Sequence, residues 1–209
     1  MTRGFVIALV GAESTGKSTL AAALAEGLRH AGREVALVPE YLREFCDTVR
    51  RTPVREEQAH IAFEQTRRIA AAAASHEVVV ADTTALMIAV YSELVFDDRA
   101  LYADAEQAHR RIDLTLLTAL DLPWQPDVLR DGPQVRAPVD ALVRASLQRA
   151  GVPYAVVSGT GGLRLEAASK AVRHALGSPA DEPPVRWEWV CERCGDAGCE
   201  RHLLPRDVR

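Results

Sequence analysis

Residues Gly11 to Ser18 read Gly-Ala-Glu-Ser-Thr-Gly-Lys-Ser, and their flanks fix what they can build. The apolar run Phe5 to Val10 leads in, and the Ala/Leu-rich stretch Thr19 to His30 leads out. Strand, glycine loop and helix in that order make a phosphate-binding loop, whereas a chance match in an ordinary glycine turn lacks those flanks. Gly11 and Gly16 permit backbone angles that a Cβ would forbid. The N–H groups of Glu13, Ser14, Thr15 and their neighbours through Thr19 can then turn toward phosphate oxygens, and the helix adds the positive end of its dipole. Lys17 is then expected to reach the β- and γ-phosphates and the Ser18 hydroxyl to hold Mg²⁺. This specifies a nucleoside triphosphate, with ATP and Mg²⁺ as the expected cofactors, but not the group that receives the phosphate.

Apolar strand-like runs alternate with helical stretches along the rest of the chain. Strands are expected at Phe5–Val10, Glu34–Val38, Val78–Asp82, Leu114–Leu120 and Tyr154–Ser158, and helices at Thr19–His30, Arg55–Ser75, Thr84–Phe96, Tyr102–Arg111, Val139–Ala150 and Leu163–Leu176. Five apolar strands separated by helices predict an α/β three-layer sandwich around a mostly parallel sheet. In such sheets ligands sit beyond the carboxyl ends of the strands, so the residues just after each strand are the site candidates.

Asp82 ends the clearest strand pattern in the chain, Val78 to Ala81. It can hold a metal-bound water or accept a proton from an attacking hydroxyl; as a structural alternative it caps the following helix. After the second strand, Glu40 can bind acceptor hydroxyls, Tyr41 can stack on a ring and Arg43 can pair with phosphate or an internal acid; a capped helix start with surface charges is the alternative. After the fourth strand, the Pro- and Gly-broken segment Asp121 to Gly132 offers Trp124 and Asp127 toward an acceptor. Arg130, followed by Arg136, can close over the triphosphate as a lid; a surface loop with weak ion pairs is the alternative.

With 209 residues, 48% hydrophobic, the chain can bury one α/β core and a small appendage. A net charge of −4 without a basic stripe argues against nucleic-acid binding as the main task. No apolar run is long enough to span a membrane. The N-terminus resembles a signal peptide only superficially, because it runs straight into the phosphate loop, and a cytoplasmic location is expected. Residues 1–176 read as one domain, 177–184 as a Pro-rich linker and 185–209 as a Cys/His tail. In that tail Cys191, Cys194, Cys199 and His202 fall within twelve residues, a donor set suited to tetrahedral, structural Zn²⁺. A flexible tail with free thiols, or a Cys191–Cys194 redox pair, is the alternative. Trp187 and Trp189 alternate with charged residues as an edge strand would. The remaining histidines have no evident acid or nucleophile partner.

The motifs taken together resemble a known family. Gly11 to Thr19, Glu40-Tyr-x-Arg-Glu44, a strand ending in Asp82-Thr83 and Pro123-Trp-x-x-Asp-x-Leu-Arg-Asp-Gly132 are similar to the ribosylnicotinamide kinase domain of NadR-type proteins, over about residues 4–176. The resemblance implies transfer of the γ-phosphate of ATP to the ribose 5′-hydroxyl of nicotinamide riboside. Lys17 and Ser18 would handle phosphate and Mg²⁺, Glu40, Tyr41 and Asp82 would lie toward the nucleoside, and Trp124, Asp127, Arg130 and Arg136 would form the lid region. Val128 stands where the family usually has glycine, and the tail is outside the pattern. The other reading of the same residues is a regulatory ATPase that signals nucleotide state through the tail.

Overall fold

The computed structural model describes residues 3–126 and 132–177. Its strands are β1 (Phe5–Val10), β2 (Val35–Val38), β3 (Val78–Asp82), β4 (Leu114–Thr118) and β5 (Tyr154–Val157), in the sheet order β2-β3-β1-β4-β5. Every pairing is parallel, and Leu9 of β1 stands opposite Asp82 of β3. Parallel neighbours need crossovers. The helices α1 (Lys17–His30), α2 (Tyr41–Val49), α3 (Gln58–Ser75), α4 (Ala85–Phe96), α5 (Tyr102–His109) and α6 (Arg136–Ala150) lie in those connections, and α7 (Gly161–Ala175) follows β5.

Side chains alternate across a strand, and the core divides accordingly. Ile7, Leu9, Val78, Val80 and Leu116 pack on one face under Leu20 and Leu24 of α1 and Ala168 and Val172 of α7. On the other face Val10 and Leu117 meet Ile61 of α3, Leu86 of α4 and Val143 and Leu147 of α6, while Val6 and Val79 meet Ile69 and Ala73 of α3. The α/β three-layer arrangement expected from the sequence is therefore present. β3 is buried along its whole length, and each fully buried valine contributes about 1.5–3 kcal/mol. Among the described residues no helix is long and apolar enough to cross a membrane.

The elements depart from the sequence pattern mainly at their ends. α1, α6 and α7 begin two or three residues earlier than expected, Arg55–Glu57 is a 3₁₀ turn before α3, and β4 stops at Thr118. A separate helix, α2, occupies the segment after β2. Leu42, Phe45 and Cys46 recur at helical spacing there and turn one face to the core.

His109, 1% exposed, bridges α4 to β4. Its Nδ1 lies 3.0 Å from Thr84 Oγ1 and its Nε2 lies 3.0 Å from Thr115 Oγ1. Burial pushes the imidazole down to about 4, so it is neutral at pH 7: one ring nitrogen donates to a threonine and the other accepts from one. An unfolded chain takes up this proton near 6.5, well above the folded value. Between those two values the unfolded state binds more protons, so this contribution to stability falls as pH drops from about 6.5 to about 4 and is level above that window. The whole loss is about 3 kcal/mol. Urea midpoints measured near neutrality and at about pH 5 should fall more in the wild type than in His109→Gln; an equal fall in both would assign the effect elsewhere.

Candidate active site

The connection from β1 to α1 turns back on itself. Gly11 has φ +139, and a Cβ there would stand 2.4 Å from Thr118 Oγ1. Gly16 has φ +76 and precedes α1 with no side-chain cap, leaving the first N–H groups of that helix for a ligand. Thr15 Oγ1 donates to Ala12 O at 2.7 Å and lies 2.7 Å from Thr118 Oγ1, which fixes the underside of the loop. Lys17 Nζ donates to Ala12 O at 2.8 Å, folded back along the loop.

The residues from Glu13 to Thr19 form one wall of a cavity of about 520 Å³. Glu40, Arg43 and Cys46 form the wall on the β2–α2 side, Gln58 comes from α3, and Thr83, Met87, Tyr91 and Phe96 come from the β3–α4 side. The cavity thus joins a polar phosphate cradle to a largely apolar chamber with a few polar groups, a combination suited to a small organic acceptor. Burial, then the neighbouring Glu40 carboxylate, pushes the Cys46 thiol up, so it serves as a protonated wall.

Asp82 ends β3, one residue before Thr83 of the cavity wall, and does not itself line the cavity. It is 6% exposed and its Oδ1 has no hydrogen-bond partner. Thr84 caps α4 by accepting from Leu86 N, so Asp82 does not cap that helix as the structural alternative had it. Thr83 between them has φ +78 and a buried hydroxyl without a partner. Such a conformation costs a β-branched residue about 1–3 kcal/mol and persists only where its surroundings over-determine it. Here Thr83 N donates to Leu9 O at 3.1 Å, and Gln65 Nε2 donates to Thr83 O at 3.4 Å. The Ser18 hydroxyl at the start of α1 and an orphaned carboxylate oxygen at the end of the adjacent strand are hard oxygen donors, so the residues present fit Mg²⁺.

Of the residues singled out in the sequence, Glu13 to Thr19, Glu40 and Arg43 come together in the cavity wall. Gly11 lies behind the loop against Thr118. Tyr41 is turned away: its ring lies 4.4 Å beneath the Arg68 guanidinium, and Arg68 is held by Glu44 and Glu64. Trp124 Nε1 donates to Glu13 Oε1 at 3.0 Å and Gln125 N donates to Ser14 Oγ at 3.0 Å, which stitches the segment after β4 to the outer edge of the loop. Arg136 starts α6, 9% exposed, with Nε and Nη2 buried and without partners. Asp127, Arg130, Cys191, Cys194, Cys199 and His202 lie outside the described residues.

Gln65 and Arg164 were not singled out. Gln65, fully buried, accepts from Tyr41 N at 2.7 Å and donates to Pro39 O at 3.3 Å and to Thr83 O, joining the segments that carry Glu40 and Asp82. A signal existed for both: Gln65 falls in the helical register of Ile61 and Ile69, and Arg164 in that of Ala168 and Val172, where apolar residues belong.

A family model described as an AAA domain matches residues 6–164. The chain belongs to that family. In fold, this AAA-domain chain is similar to the crystal structure of NadR protein in complex with NR, with a TM-score of 0.71 and 20% identity over 86% of this chain and 53% of that one. NadR protein in complex with NAD and AMP-PNP gives a TM-score of 0.69 and 21% identity over 86% and 52% of the two chains. Thymidylate kinase from Ehrlichia chaffeensis gives 0.58 and 15% over 80% and 98%. The chain spans about half the length of the NadR structures it matches. No curated protein sequence matches it. The NadR resemblance read from the motifs is thus found again in the fold.

Proposed function

We propose that this AAA-domain chain is an ATP-dependent phosphotransferase that phosphorylates a small hydroxyl-bearing acceptor, with nicotinamide riboside as the first choice. The observation that carries this reading is the continuous cavity that runs from the phosphate loop to Glu40, Gln58, Met87 and Tyr91. The acceptor's 5′-oxygen attacks the γ-phosphorus, the bond from that phosphorus to the β–γ bridging oxygen breaks, and ADP leaves with the electron pair. The hydroxyl proton passes to a carboxylate, either Glu40 in the wall or Asp82 beside it. Lys17 and the loop N–H groups hold the phosphates, and Trp124 braces the loop through Glu13. Arg136 brings a guanidinium with two unpaired nitrogens to the start of α6, and with Arg130 it neutralises charge on the transferring group. Ser18 and Asp82 would hold Mg²⁺, which neutralises phosphate charge when bound. Tyr41 and Asp127 keep proposed acceptor-side roles, Tyr41 through the placement of α2.

Residues 1–176 are proposed as the catalytic domain, 177–184 as linker and 185–209 as a tail in which Cys191, Cys194, Cys199 and His202 bind a structural Zn²⁺. Metal analysis of the purified chain checks the last point. A cytoplasmic location accords with this thiol-rich tail. The enzyme assay is an ADP-release screen across nucleosides with Mg²⁺ and ATP. Phosphorylation of nicotinamide riboside is the expected result, and ATP hydrolysis with no nucleoside phosphorylated would overturn the proposal.

A further inference from the structure

We infer that Arg164 is a positioning residue for the nucleotide, holding the phosphate loop from beneath in its anion-binding form. Arg164 stands in the first turn of α7 and is 4% exposed. Its Nη2 donates to Thr15 O at 2.8 Å and to Ala119 O at 3.2 Å. Its Nη1 donates to Gly159 O at 2.8 Å and to Asp121 Oδ1 at 2.7 Å, and Asp121 Oδ2 accepts from Gly159 N at 2.6 Å. One guanidinium therefore ties together the segments that follow β1, β4 and β5.

The consequence for the ligand follows from peptide geometry. A trans peptide is planar, with its C=O and N–H pointing in opposite directions. Drawing the Thr15 carbonyl down onto Arg164 aims the N–H of Gly16 the other way, toward the cavity that Gly16 lines. The φ of +76 at Gly16 lets the chain continue from there into α1.

Packing alone does not account for an arginine at this place. Its neighbours in register, Ala168 and Val172, belong to the apolar core, and Arg164 Nε is buried without a partner. Replacing both members of a buried ion pair by apolar residues is often neutral or stabilising, so stability by itself does not call for an arginine here. What only the guanidinium supplies is the set of donors that orients three carbonyls at once.

The test uses ADP alone as the probe, titrated by calorimetry against the full chain, so its outcome does not depend on which acceptor, if any, is phosphorylated. Arg164→Met leaves three carbonyls and Asp121 without their donor, so it should lower the melting temperature and also, measured where the variant is folded, raise the ADP Kd about tenfold or more. Arg164→Lys keeps the charge but not the fork and should fall between Met and wild type. Asp121→Asn should weaken ADP less, and the double variant Arg164→Met with Asp121→Asn should bind no worse than Arg164→Met, because both act through one network. Should Arg164→Met fail to fold, Arg164→Lys and Asp121→Asn carry the same comparison. A lowered melting temperature with ADP affinity within about twofold of wild type would make Arg164 a scaffold residue and overturn the inference.

Discussion

Lys17→Ala should lower phosphate transfer about 10³-fold while the protein melts close to the wild-type temperature. The ammonium donates to Ala12 O, so reaching a phosphate exchanges a neutral acceptor for an anionic one. Charge-assisted bonds are roughly twice as strong as neutral ones, and the gain grows as charge spreads over the transferring group. The fold asks little of this side chain, since Thr15, Thr118 and Gly11 already set the loop's underside. Lys17→Arg should not rescue, because a planar fork cannot replace a compact point charge in a cradle this close to backbone. Initial rates of ADP release at saturating acceptor, beside ADP affinity, separate the contributions: kcat should collapse and affinity should weaken less. A variant that kept a tenth of the wild-type rate would place the reacting phosphate away from Lys17.

The phosphate loop was legible because its parts are consecutive: a buried strand, two glycines at positive φ and a helix start lie within about twenty residues. β3 was legible because both its faces are covered, so nothing polar interrupts Val78 to Ala81. α2 entered the sequence reading only as the alternative to a binding cluster, a helix start carrying surface charges, because a nine-residue helix gives too few turns for its apolar face to stand out against Glu40, Arg43 and Glu44. The supports of the site were hidden for a different reason. Arg164 reaches Thr15 across 149 positions and Gln65 reaches Tyr41 across 24, and no local pattern specifies such pairs. What the sequence did carry was an anomaly, a polar residue in an apolar helical register, whose resolution needed the fold. Tyr41 shows the converse: an aromatic at a strand end suggested stacking on a ligand, but Arg68, fixed by two glutamates, had already taken its ring.

Asp82 and Thr83 set activity against stability in the same two residues, and Asp82→Asn exposes the conflict. A buried carboxylate oxygen without a partner lowers stability by about 1–3 kcal/mol, and Asp82 Oδ1 is such an atom. Helix capping does not compensate, because Thr84 performs it. Asn keeps the shape and removes the charge, so Asp82→Asn should unfold at an equal or higher urea concentration than the wild type. Its transfer rate should nevertheless fall about 10²–10⁴-fold, whether the carboxylate takes the acceptor's proton or orders Mg²⁺. Magnesium concentration separates these two roles. A metal-ordering Asp82 gives a variant whose rate recovers in part at high Mg²⁺, whereas a proton-accepting Asp82 gives one that does not, and Glu40→Gln then costs much less than Asp82→Asn. Greater stability with lost transfer would identify a carboxylate kept for chemistry. Loss of stability with transfer retained would identify a structural one, and the phosphoryl-transfer centre would then have to be built around Glu40.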